Sequence, residues 1–215
     1  MPRGNYEFIS INGDLWLKIF QQNAPALFSS DKIIAANQVF DINEANRYSI
    51  IGYIDDNFKI NGVFIFLYRF PIEYPDDYFY FNQSTHPLIS YTVKDFRYNF
   101  TTKKCNIDYN HQNMLNGIAI SKSPETLLDG IYGDNTAWWY AIGVNSLHRT
   151  GFPGPYCDNK ESTSSQTSQL WIRIKNKNIM RNLPNYAICH SMQNLYSFFI
   201  FNHYLLSTSY YVLIS

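Results

Sequence analysis

Asn57-Phe58-Lys59-Ile60-Asn61-Gly62-Val63-Phe64-Ile65-Phe66-Leu67-Tyr68 is the stretch on which the fold turns. Asn61-Gly62 is a preferred pair for a two-residue type I′ turn, in which both central residues need positive φ. Apolar and aromatic runs flank the pair, so the segment predicts a β-hairpin. Val63 to Tyr68 is apolar at every position and leaves no face suited to water. That run is therefore expected in the middle of a sheet with cover on both sides, which implies two layers.

The same rhythm continues in both directions. Upstream, residues 6–11 and 15–20 surround Asn12-Gly13-Asp14 and predict a second hairpin. Between the hairpins, residues 27–40 change character. Ser29, Ser30 and Asp31 offer capping oxygens, and Ile33, Ile34, Ala35, Ala36 and Val39 suit a short helix. Downstream, Pro71 and Pro75 interrupt the pattern, and short strands are expected at 79–81, 88–93, 96–100 and 115–120. Ser123-Pro124-Glu125 is read as one helical turn. Trp138-Trp139-Tyr140-Ala141-Ile142-Gly143 and Leu170-Trp171-Ile172-Arg173-Ile174 close the series, with Gly151-Phe152-Pro153-Gly154-Pro155 and a Ser/Thr-rich loop between them. Many short strands and little helix define the expected fold class: all-β, a two-sheet antiparallel sandwich of jelly-roll type with one or two short helices.

The pattern divides the chain into a β-sandwich domain over residues 1–175 and an uncharged aromatic tail over 176–215. From Asn182 to Ser215 there is no Asp, Glu, Lys or Arg. Residues 195–214 are long enough to cross a bilayer, yet Asn202 and His203 sit at their middle, where polar groups are costly. Three readings stand side by side: a C-terminal membrane segment, additional strands, and a tail foreign to the evolved domain, disordered or translated from noncoding sequence. Membrane contact is expected only under the first.

Of the 215 residues, 18% are aromatic and 16% charged, and 17 basic side chains balance 17 acidic ones. No basic patch stands out, so nucleic acid is excluded as a partner. Residues 1–10 lack the apolar core of a secretory signal, which favours the cytoplasm. The sequons at Asn82 and Asn99 would be used only on the secretory route. Cys105, Cys157 and Cys189 are too few for a disulfide framework or a zinc motif. They are read as reduced and packed, with a Cys105–Cys157 bridge as the alternative in an oxidising compartment.

Leu128-Asp129-Gly130, Ala137-Trp138-Trp139-Tyr140-Ala141-Ile142-Gly143, Phe152-Pro153-Gly154-Pro155 and Gln169-Leu170-Trp171-Ile172-Arg173 together resemble an uncharacterised group of eukaryotic all-β domains. The likeness runs from Tyr6 to about Lys175 and also takes in residues 15–20 and 27–30. It implies no activity and no catalytic residues. More loosely, the chain is similar to lectin-type jelly rolls that close on an alternating Trp-containing strand, a likeness of fold alone.

An aromatic ring beside a few polar groups is the usual ground plan of a sugar site. The candidate ligand-binding residues are Asp134, Asn135, Trp138, Trp139, His148, Arg149 and Tyr156. Adjacent Trp residues on a regular strand point to opposite faces, so one ring is expected outside and the other in the core. The plain alternative is that both are covered, because aromatic residues dominate cores. Tyr74-Pro75-Asp76-Asp77-Tyr78 is a second polar and aromatic loop, read by default as a solvated turn. No cofactor is expected. Calcium on Asp129, Asp134 and Asn135 is the one metal considered, and those residues do not follow the EF-hand pattern.

No catalytic motif appears. Ser146-Leu147-His148 lacks a nucleophile elbow, and Asp76, Asp77, Glu125 and Asp129 cannot be paired as glycosidase carboxylates from spacing alone. The expectation is a non-enzymatic, lectin-like recognition module that binds a carbohydrate or protein ligand. A jelly-roll carbohydrate-active hydrolase and a structural or membrane-tethered surface protein are the alternatives.

Overall fold

The computed structural model describes residues 6–38, 46–72, 75, 78–101, 115–132, 137–146, 152–153, 164–175 and 210–212. The protein is all-β and built on two antiparallel sheets. The larger sheet contains β1 (Tyr6–Ile11), β2 (Asp14–Asn23), β3 (Arg47–Ser49), β4 (Phe64–Arg69), β5 (Tyr78–Gln83) and β6 (Arg97–Thr101). The smaller sheet contains β7 (Leu115–Ile120), β8 (Thr126–Tyr132) and β9 (Ala137–Val144). A two-stranded ribbon, β10 (Phe152–Pro153) with β11 (Ser164–Ser165), precedes β12 (Thr167–Ile174), and β13 is Tyr210–Val212. The large sheet runs β13-β1-β2-β12-β4-β5-β6 with β3 beside β2, and the small one runs β7-β8-β9.

Both Asn-Gly pairs form the expected turns. Asn12 and Gly13 have φ of 53° and 81°, Asn61 and Gly62 have 54° and 85°, the left-handed conformation that a type I′ loop demands. The first turn joins β1 to β2, with Ile11 opposite Asp14. The second hairpin is shorter than expected. Its first arm is a 3₁₀ turn at Asp56–Phe58, capped by the Asp55 carboxylate on the Asn57 amide, and only Ile60 bridges to Val63. Asp55 and Asn57 favour such a local turn over a strand ladder.

β4 is central, with Phe64, Phe66, Leu67 and Tyr68 fully buried, so the two-sided run of apolar residues is covered on both faces. Its even-numbered side chains enter the main core with Leu17, Phe20, Leu170 and Ile172 of the large sheet and Ile118, Leu127, Leu128 and Ile142 of the small one. This core is the layer between the sheets. The odd-numbered Ile65 and Leu67 join Ile9, Trp16 and Trp171 in a second cluster on the opposite face.

In β2 the inward pattern changes phase. Leu15, Leu17 and Ile19 face the core, and then Phe20 does so as well. The register explains this: Leu170 pairs with Phe20 and Trp171 with Lys18, so Ile19 is an extra residue in a β-bulge. One inserted residue flips the alternation and keeps both halves of a ten-residue strand facing inward.

The short helix α1 (Lys32–Ala36) is capped by Asp31, whose carboxylate accepts the Ile33 and Ile34 amides. Ala35 and Ala36 are its buried residues, while Ile33 and Ile34 are exposed. Two sequence expectations fail here. Residues 88–93 form no strand, because Ser90 Oγ accepts the Thr92 amide and closes a local turn. Ser123-Pro124-Glu125 is a turn without helix, closed by Ser123 Oγ on the Glu125 amide. In both places a hydroxyl takes up a backbone donor that the expected strand or helical turn would have used.

Polar bonds also join the sheets across the core. Gln22 of β2 is fully buried, accepts the Val144 amide at 3.0 Å and donates to the Val144 carbonyl at 2.7 Å. Its second amide hydrogen goes to the Ala26 carbonyl. Gln83 of β5 repeats the pattern on Ile118, accepting at 2.9 Å and donating at 2.9 Å, with Thr85 as the further acceptor. Val144 and Ile118 lie on β9 and β7, the two outer strands of the small sheet. Tyr68 adds a bond from its hydroxyl to the Ala141 carbonyl.

Gln83→Leu strands the buried N–H and C=O of Ile118, and Gln22→Leu strands the Val144 N–H, while the Val144 carbonyl keeps the Phe28 amide at 3.0 Å. Unsatisfied buried groups cost about 1–3 kcal/mol each. Gln83→Leu should lower the unfolding free energy by roughly 3 kcal/mol and Gln22→Leu by roughly 2 kcal/mol in urea titrations with an unchanged slope. A loss near that of an exposed Gln→Leu change would show that these amides do not hold the sheets.

Candidate functional site

Of the seven sequence-predicted ligand-binding residues, Trp138 and Trp139 lie within the described residues, both on β9. Asp134, Asn135, His148, Arg149 and Tyr156 lie outside them, as do Asp76 and Asp77. β9 is an outer strand of the small sheet, and the β10–β11 ribbon lies against it. Ile131 pairs with Trp138 and Asp129 with Ala141, so the single residue Gly130 faces both Trp139 and Tyr140. A bulge at this point means that sequence spacing no longer assigns opposite faces to the two neighbouring Trp residues.

Asp129 is placed on β8 beside this strand, and its carboxylate is engaged. It accepts the hydroxyls of Ser121 and of Thr126, the latter at 2.6 Å. Lys32 reaches the Ser121 carbonyl from α1. Burial lowers the affinity of the Lys32 ammonium for its proton, and the Asp129 charge opposes that shift. The arrangement fastens α1 and the β7–β8 turn to the sheet. Glu125, the other described carboxylate from the sequence analysis, is exposed on that turn. Among the described residues, no group of three or more His, Cys, Asp or Glu side chains converges to hold a metal.

Sequence reasoning did not single out the polar and aromatic cluster on the outer face of the large sheet. Lys18 on β2 is 8% exposed, forms an ion pair with Glu7 on β1, donates to Gln21 Oε1 at 2.8 Å and sits 5.7 Å from the Trp171 ring centroid. Desolvation pulls the Lys18 ammonium below its ordinary range, and the Glu7 carboxylate opposes this by charge and hydrogen bond. Trp16 meets Tyr80 edge-on at 5.5 Å, and Arg173 pairs with Asp14 nearby. The indole N–H groups of Trp16 and Trp171 are buried without a hydrogen-bond acceptor among the described residues. Nothing local in the sequence marks Lys18 as buried, because its partners Glu7 and Trp171 come from the neighbouring strands.

No protein-family model, curated protein or solved structure matches the chain. Among the described residues, no helix is long and apolar enough to cross a membrane.

The Lys18–Glu7 pair makes a sharp test of the outer face. Removing one partner of a buried ion pair typically costs about 3–5 kcal/mol, because the other charge is left desolvated and alone. Lys18→Met should therefore destabilise by roughly 3 kcal/mol, and the double variant Lys18→Met/Glu7→Gln should recover most of that loss. Urea unfolding of the four proteins in the cycle measures it. Strictly additive losses would mean that the two charges act independently.

Proposed function

We propose that this chain is a non-enzymatic recognition module of lectin-like type that binds a carbohydrate or another exposed ligand. The observation that carries this reading is the position of the Trp pair. Trp138 and Trp139 lie on an outer strand, directly after the 133–136 connection that contains Asp134 and Asn135, and beside the β10–β11 ribbon. Aromatic surface next to short polar side chains is the combination that sugar rings require: an apolar face to stack on and hydroxyls to bond. His148, Arg149 and Tyr156 belong to the connections that leave β9 and the ribbon, and they are proposed as the polar and aromatic complement. The balanced charge of the chain suits a neutral ligand.

A glycan array at high protein concentration tests the proposal. Specific binding is expected, and Trp138→Ala or Trp139→Ala should weaken it by at least tenfold while the thermal midpoint shows that the variant remains folded. Absence of binding across the array, or binding untouched by both substitutions, would overturn it.

A further inference from the structure

We propose that His86 is a pH-operated clasp: its neutral imidazole holds the Leu88 amide on Nδ1 while Nε2–H is tied to the Ile54 carbonyl, and a proton on Nδ1 releases Leu88 while the Ile54 bond persists. The two ring nitrogens have opposite duties. Nε2 lies 2.9 Å from the Ile54 carbonyl oxygen, which can only accept, so Nε2 carries the hydrogen. Nδ1 lies 3.1 Å from the Leu88 amide nitrogen, which can only donate, so Nδ1 must offer its lone pair. Only one neutral tautomer satisfies both bonds. In the imidazolium both nitrogens carry hydrogens, and the Nδ1 hydrogen would point at the Leu88 N–H.

The surroundings favour the neutral form. The ring is half-buried and packs edge-on against Phe64 of β4 at 5.6 Å. Burial lowers its proton affinity first. The Ile54 hydrogen bond and the carboxylates of Asp56 and Asp55 act the other way, and the Lys59 ammonium adds to the lowering. Lys94 and Asp95, both exposed, are the charged residues at the far end of its own connection.

What the clasp controls is defined by the other bonds of residues 84–94. The base of the connection is closed by Ser84 N–H to the Lys94 carbonyl and by Lys94 N–H to Thr85 Oγ1. Its tip touches β7 through the Ser90 carbonyl and the Ile120 amide at 3.3 Å, a long bond. Ile89 and Tyr91, exposed at 79% and 52%, ride on that tip. Between base and tip, His86 supplies a hydrogen bond from the connection to residues 50–58, beside Leu88, which packs against the main core. Losing the Leu88 bond loosens the turn at residues 86–88 while the Ile54 bond and the base stay closed.

The sign follows from linkage. The open form titrates near the ordinary imidazole value of 6.5, and the closed form titrates lower. The clasp is fully closed above 6.5 and loses its hold as the pH falls through the lower, closed-state value. In that window the opening equilibrium rises about tenfold per pH unit.

Amide hydrogen exchange on the full chain at pH 7.5 and at pH 5.0, corrected for the intrinsic rate, reads this directly. Protection at Leu88 and Ile89 should fall by up to tenfold per pH unit below 6.5, while β4 keeps its protection. His86→Gln retains a donor for Ile54 and cannot take up a proton, so its protection there should not vary with pH. Should that variant fail to fold, nitrogen-detected titration of the wild-type imidazole supplies the second reading: Nε2–H at pH 7.5, with loss of protection beginning as Nδ1 protonates. Equal corrected exchange at both pH values, the same slope in His86→Gln, or an imidazole already protonated at pH 7.5 would each overturn the proposal.

Discussion

Two glutamine side chains hold the architecture in register. A hydrophobic interlayer is non-directional and would let one sheet slide or rotate on the other at small cost. Gln22 and Gln83 remove that freedom. Each acts as a one-residue strand, accepting the N–H and donating to the C=O of a single residue on an outer strand of the small sheet. Because the two clamps grip opposite edges, they fix translation and rotation together. All the hydrogen-bonding capacity of both primary amide nitrogens is used, so burying them leaves no orphaned donor.

Backbone exceptions in the small sheet accompany these clamps. Gly117 has a φ of 85°, and a Cβ there would come within 2.5 Å of Gln83 Oε1. The bulge at this glycine lets β7 approach the amide closely enough to bond. Gly143, next to the Val144 that Gln22 grips, has a φ of 68°, and a Cβ there would meet Leu127 at 2.7 Å. Glycine is thus required on each outer strand beside the gripped residue.

Much of the fold could be read from local chemistry. Asn12-Gly13 and Asn61-Gly62 announce their turns, the Val63 to Tyr68 run announces a doubly covered strand, and Asp31 announces the start of α1. What stayed hidden depends on partners remote in sequence. Gln22 and Gln83 look like ordinary surface residues until the second sheet is in place. Lys18 reads as a solvated position until Glu7 and Trp171 surround it. The extended reading of residues 88–93 failed because Ser90 and His86 close that backbone locally, an outcome alternation cannot reveal. The candidate site was legible only as a pair of Trp residues on a strand. A bulge opposite Gly130 removes the simple rule by which one ring could be assigned inward and the other outward.

The bulge at Ile19 has a further meaning in the language of insertion and deletion. In a regular strand, losing one residue turns every side chain beyond it to the wrong face. β2 already contains its phase change, so deleting Ile19 would restore simple alternation with Phe20 and Gln22 still turned to the small sheet, at the cost of the core packing of Ile19 itself. A one-residue duplication next to Ile19 could be absorbed by widening the same irregularity, whereas one at Leu17 would create a second. Tolerance to changes of length within this strand should therefore be concentrated at a single residue near its middle, the opposite of the usual preference for strand ends and loops.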